Sequence, residues 1–130
     1  MLQQLALPKS PLEGIILFFV SAVFFLGGIA HFTKTSFFLS IMPPWIPYPR
    51  FWIYFTGVCE VLGACGLWLV MTRYWSAWAL IVLSICVFPV NIYMAYYSDR
   101  FPQFSTWALY ARLPMQFVII FFCYWLSFYE

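Results

Sequence analysis

Charge is what this sequence has least of. Only 8% of its 130 residues are charged, against about a quarter in an ordinary soluble domain. So few charges cannot coat a water-facing surface, which leaves lipid as the surroundings. Histidine occurs once, as His31, and haem ligation by two histidines is thereby excluded. The four cysteines, Cys59, Cys65, Cys86 and Cys123, form no C-x-x-C pair. With one histidine they make no ordinary zinc site, and no protein-ligated metal is expected. A G-x-G-x-x-G turn and a Walker loop are both missing, which argues against the common nucleotide folds. The net charge of +2 is spread thinly and forms no basic tract, so nucleic acid is not an expected partner.

Hydrophobic residues supply 65% of the chain, with mean hydropathy +0.91. They fall into four runs, at about 12–32, 51–70, 74–97 and 107–128. Each has roughly the 20 residues that cross a bilayer as a helix, whereas barrel strands would be about half as long and alternating. The expectation is an all-α single domain over 1–130, a bundle of four transmembrane helices. One such unit is too small for a complete transporter unless it oligomerises, because no second half exists to rock against the first.

The start of the first run is legible. Ser10, Pro11 and Glu13 fit the N-cap, N1 and N3 positions of a capping box. Gly28 and Ala30 offer a small-x-small cleavage site, so a leader peptide is the rival reading of this run. Between Thr33 and Arg50 lies a loop whose segment from Met42 to Pro49 holds Pro43, Pro44, Pro47 and Pro49. Proline fixes its own φ and restrains its predecessor, so this loop reads as stiff and extended along the membrane surface. Met71, Thr72 and Arg73 read as a tight hairpin. The cysteines all sit in apolar runs and read as buried, reduced small hydrophobes.

Aromatic residues are 25% of the chain and cluster in two groups. Trp68, Tyr74, Trp75, Trp78, Tyr124, Trp125 and Tyr129 belong near the end that carries the termini. Trp45, Tyr48, Trp52, Tyr54, Tyr96, Tyr97, Trp107 and Tyr110 belong near the other. Two such groups are the pattern of aromatic belts at two interfaces. Orientation stays open at this point, because Lys9 and Arg73 face Lys34, Arg50 and Arg100 across the membrane.

Polar residues inside apolar spans carry the functional information, since an ionisable group there costs a few kcal/mol to keep. Glu60 lies mid-span and shares a helix face with Gly57, Gly63 and Ala64, small residues that admit a neighbouring helix closely. His31 closes the first span, Asn91 follows Pro89 in the third, and Arg112 and Gln116 flank Pro114 in the fourth. By depth, His31, Glu60, Asn91, Arg112 and Gln116 all fall in the half of the bundle under the proline-rich loop. They read as one polar cluster. Three roles stand side by side. In one, Glu60 pairs with Arg112 while Asn91 and Gln116 pin helices in register. In another, the cluster lines a ligand pocket. The third is an interface with another membrane subunit.

These residues also carry a resemblance. Gly28-Ile29-Ala30-His31-Phe32, Met42-Pro43-Pro44 with Pro47, and Gly57-x-x-Glu60-x-x-Gly63 come first. Phe88-Pro89-Val90-Asn91-Ile92-Tyr93-Met94-Ala95 and Arg112-Leu113-Pro114-Met115-Gln116 follow. In order and spacing the sequence resembles the DoxX-like family of small bacterial membrane proteins, over nearly the whole chain. The resemblance implies a four-helix membrane fold in a bacterial inner membrane. Some members are linked to redox work, as a thiosulfate:quinone oxidoreductase subunit or as membrane partners of secreted redox enzymes. A related animal group includes receptor-assembly chaperones.

Three functions are therefore weighed. The first is a redox-associated protein whose polar pocket binds a quinone-like hydrophobic ligand. The second is a non-enzymatic accessory or assembly subunit of a larger membrane complex, or a homo-oligomer. The third is a four-span isomerase using His31 and Glu60 as a proton shuttle.

Overall fold

The computed structural model describes residues 5–102 and 104–128, and every element in it is helical apart from one isolated bridge. Helix α1, Pro11–Thr33, begins where the sequence says it should. Ser10 is extended, its Oγ accepts from the Glu13 N–H at 3.1 Å, and Pro11 opens the first turn. The Glu13 carboxylate reaches back to accept from the Lys9 N–H at 3.0 Å, one residue further back than a capping box requires. At 1.5 Å per residue α1 is about 34 Å long, enough to cross the hydrocarbon layer.

The segment after α1 departs from the expected extended loop. Thr35–Ile41 forms a short helix, α2, started by the Thr35 hydroxyl bonding back to the His31 carbonyl at 2.9 Å. The apolar side of α2 explains the difference, because Ile41 is buried against the helix ends. The proline stretch that follows does remain non-helical up to Tyr48, which takes a left-handed φ of 52°. Pro49 then opens α3, Pro49–Gly66.

Helix α3 stops short of the expected end at residue 70. The backbone beyond Gly66 is committed elsewhere: the Ala6 N–H donates to the Trp68 carbonyl at 2.7 Å, and Leu5 bridges Leu69. Gly66 also touches the next helix so closely that a Cβ there would lie 1.9 Å from the Ser76 hydroxyl. Helix α4 is Arg73–Tyr96, a 3-10 turn spans Ser98–Arg100, and α5 is Thr106–Leu126, capped by the Ser105 hydroxyl.

Helices α1, α4 and α5 are each long and apolar enough to cross a membrane, the mark of an integral membrane protein. α1 packs on α3, α3 on α4, α4 on α5, and α5 returns to α1. Each neighbouring pair is antiparallel: Gly28 meets Gly57, Gly63 meets Leu80, and Asn91 meets Gln116. The core at the N-terminal end joins Leu17, Val20, Phe24, Leu67, Leu80, Cys123 and Leu126. A second, smaller core at the α2 end joins Ile41, Tyr93, Met94, Phe101 and Leu109. Outward faces are apolar, with Ile15, Phe18, Leu26, Phe117 and Phe121 all exposed, as a lipid-facing surface requires.

Both aromatic groups lie at their expected ends. Trp45, Tyr48, Tyr96, Trp107 and Tyr110 are exposed at the α2 end, and Tyr74, Trp75 and Tyr124 at the other; Tyr129 lies outside the described residues. The cysteines do not share one environment. Cys123 is buried, Cys59 half-buried, and Cys65 and Cys86 are exposed on the outer surface. A small thiol is tolerated on a lipid-facing surface as readily as in a core.

Candidate functional site

The site begins with two glycines. A Cβ on Gly28 would lie 2.7 Å from the Gly57 carbonyl, and one on Gly57 would lie 2.8 Å from the His31 Cβ. Without side chains at these positions, α1 and α3 meet backbone to backbone. That approach drops the His31 imidazole onto α3. Its Nδ1 lies 2.9 Å from the Ile53 carbonyl and 3.1 Å from the Thr56 hydroxyl. The Thr56 hydroxyl donates to the Trp52 carbonyl at 2.8 Å, so its oxygen is left to accept. Nδ1 facing a carbonyl must carry a proton. Nε2 is then the ring atom that faces Glu60, with Oε2 at 3.4 Å.

Both side chains are largely enclosed, at 13% and 18% exposure. Phe38 of α2 closes over the imidazole edge-on, ring centroids 4.2 Å apart. Among the described residues, the buried Glu60 Oε2 has no hydrogen-bond partner; its contact with Nε2 is the 3.4 Å ion-pair distance. Beside it, a Cβ on Gly27 would sit 3.8 Å from both carboxylate oxygens, in ordinary van der Waals contact, so a methyl-sized gap lies against the carboxylate. Glu60 therefore pairs with His31 and not with Arg112.

Asn91 and Gln116 come together on the other side of the helices. The Asn91 amide donates to Gln116 Oε1 at 2.5 Å, and the Gln116 amide donates to the Ser84 carbonyl. Pro89 and Pro114 lie inside α4 and α5 next to this contact, where each removes a backbone donor. This pair joins α4 to α5 as a pin. Arg112 stands apart: it is exposed, and its Nη1 reaches the Met94 sulfur at 3.9 Å. Among the described residues, no hydrogen bond or ion pair links the His31–Glu60 pair to Asn91, Gln116 or Arg112. The five expected residues thus divide into a proton-bearing pair, an amide pin and an outlying cation. Replacing Gln116 with leucine should cost about 0.6–1.7 kcal/mol, the range for intramembrane hydrogen bonds. A double-mutant cycle with Asn91→Ala in thermal scans would report this as coupling.

One polar feature was not foreseen. Glu13 and Arg73 are almost wholly enclosed, at 1% and 2% exposure. Arg73 Nη1 donates to Glu13 Oε1 at 2.9 Å, Nε to the Leu67 carbonyl at 2.8 Å, and Nη2 to the Ala6 carbonyl. Read singly, Glu13 is a cap and Arg73 a turn residue. The signal available was their opposite charge at the same end of a chain nearly empty of charge.

Apolar space lies along the α1–α3 seam. A groove of about 370 Å³ is lined by Phe18, Ser21, Phe25, Leu26, Ala64 and Trp68, among others. Ala64 lies one helical turn from Glu60 in the sequence, and neither Glu60 nor Gly27 lines the groove. A larger hollow of about 740 Å³ runs along the outer face of α1 from Pro11 to Leu26.

Comparison with the curated proteins and with the solved structures gives no match. A family model does match, over residues 20–127, and takes in His31, Glu60, Arg73, Asn91, Arg112 and Gln116 while leaving Glu13 outside. The chain belongs to the family described as domain of unknown function DUF8561.

Proposed function

We propose that this is a DoxX-like, redox-associated membrane protein of four spanning helices. It binds a quinone-like hydrophobic ligand through the His31–Glu60 pair. α3 is the fourth span: its 18 residues reach about 27 Å, and Glu60 faces α1, not lipid. The observation that carries the reading is the unpartnered, buried Glu60 Oε2. A buried polar atom without a partner costs about 1–3 kcal/mol, and a ligand hydroxyl donating to it would recover that cost. Nε2 and Oε2 lie 3.4 Å apart, so a ligand oxygen placed between them would meet an imidazole and a carboxylate together, the equipment for exchanging a proton. The apolar groove one turn away suits the rest of such a molecule. The redox association and the bacterial inner membrane rest on the resemblance alone.

Native mass spectrometry of protein extracted gently from its own membrane tests this. The expected result is a retained small molecule that is lost from Glu60→Gln, while the variant stays folded and monodisperse. Retention unchanged in Glu60→Gln, or no ligand on the parent protein, overturns the reading. A second reading, a non-enzymatic accessory subunit, is favoured by the hollow along α1, where Gly14 and Ala22 leave depth for a partner helix. It predicts a stoichiometric protein partner in the same spectra.

A further inference from the structure

The six basic residues are unequally available. Lys34, Arg50, Arg100 and Arg112 are all exposed, and all belong to the α2 end of the molecule. Lys34 joins α1 to α2, Arg50 is in the first turn of α3, Arg100 ends the 3-10 turn after α4, and Arg112 lies early in α5. Asp99 is the exposed acid among them. Arg100 stacks over the Tyr97 ring at 4.3 Å, and Arg50 reaches the Tyr54 hydroxyl at 3.3 Å. These contacts hold both guanidinium groups at the level of the exposed belt of Trp45, Tyr48, Tyr96, Trp107 and Tyr110. Arg112 lies about 9 Å along α5 from Thr106; it is exposed, and a side chain released from Met94 would extend toward the same level.

At the opposite end the count collapses. Arg73 is enclosed by Glu13 and by the Leu67 and Ala6 carbonyls, so it cannot meet a headgroup. Lys9 is the exposed cation left there among the described residues. The sequence alone set two cations against three; the folded chain sets one against four.

We infer that the α2 end, with Lys34, Arg50, Arg100 and Arg112, docks on the anionic headgroups of the cytoplasmic leaflet, leaving residues 5–10 and the α3–α4 turn on the opposite side. Anionic lipid is concentrated on the cytoplasmic leaflet and attracts juxtamembrane cations, and Lys and Arg near span ends set orientation. The inference goes beyond ligand binding.

Labelling of one introduced cysteine in intact bacterial spheroplasts tests it, with a membrane-impermeant maleimide, in a parent whose Cys59, Cys65, Cys86 and Cys123 are replaced by alanine. Ser36→Cys and Met71→Cys are both exposed positions, at the α2 end and the α3–α4 turn respectively. Met71→Cys should label in intact spheroplasts, and Ser36→Cys only after permeabilisation. The reverse pattern, or equal labelling of both, overturns the inference. In a Lys34→Gln, Arg50→Gln, Arg100→Gln background, labelling of Met71→Cys should fall and that of Ser36→Cys should rise in intact spheroplasts. An unchanged pattern there overturns the headgroup attraction as the cause.

Discussion

Glu13→Leu should be the most damaging single substitution in the chain, lowering stability by about 3–5 kcal/mol, the usual cost of removing one partner from a buried ion pair. Arg73 would remain charged at 2% exposure with the Glu13 carboxylate taken from its Nη1. Arg73→Met should be damaging for the converse reason, and it would also release the Leu67 and Ala6 carbonyls from their donors. The double variant Glu13→Leu with Arg73→Met should recover much of the loss, because both members of the buried pair are then replaced by apolar groups. Thermal scans in one detergent, with the monodisperse fraction as a second readout, would measure all three. Equal loss in the double variant would mean that the carbonyl contacts, and not the charge pairing, hold this end together. The consequence is spatial: the pair ties the N-terminal segment, the start of α1 and the α3–α4 turn into one knot.

Gly28→Ala should come next, at about 1–3 kcal/mol for forced overpacking. The added methyl meets the Gly57 carbonyl at 2.7 Å, and backbone cannot swing away as a side chain can. The helices must separate, and His31 then loses its registry with the Ile53 carbonyl and with Glu60. Gly27→Ala is the informative contrast. Its methyl meets the Glu60 carboxylate at an ordinary 3.8 Å, so the fold should be nearly indifferent. Under the proposed function it occupies the space against Oε2, and ligand retention should drop while the thermal transition stays in place. Gly63→Ala sits between the two, because it presses on the flexible Leu80 side chain. Parallel scans of these three glycine variants, with mass spectra of Gly27→Ala, would separate packing from ligand binding. A Gly28→Ala protein as stable as the parent would show that the α1–α3 contact is looser than drawn.

Much of this could be read in advance, for a physical reason. Lipid forbids unsatisfied backbone, so long apolar runs have few alternatives to helices. The runs near 12–32, 74–97 and 107–128 became α1, α4 and α5 within a residue or two. Capping chemistry is local, so Ser10 and Pro11 placed the start of α1 correctly. Where the sequence misled, a distant segment had intervened. α3 ends at Gly66 because Ala6 takes the Trp68 carbonyl, and α2 forms because Ile41 has a core to enter. Neither partner is visible in the local pattern.

The candidate site divides along the same line. Depth along each helix follows from counting residues, and it brought His31, Glu60, Asn91, Arg112 and Gln116 to one half of the membrane. Rotation about each helix axis does not follow from counting. It depends on which faces the neighbours bury, and here Gly28 against Gly57 set the angle that gives His31 to Glu60 and leaves Arg112 outside. The sequence by itself determined that the chain is helical and belongs in a membrane, because hydropathy and periodicity act along one dimension. Only the tertiary structure decided the partners, His31 with Glu60, Asn91 with Gln116 and Glu13 with Arg73, because pairing is a contact between helices and is fixed by how closely their backbones approach.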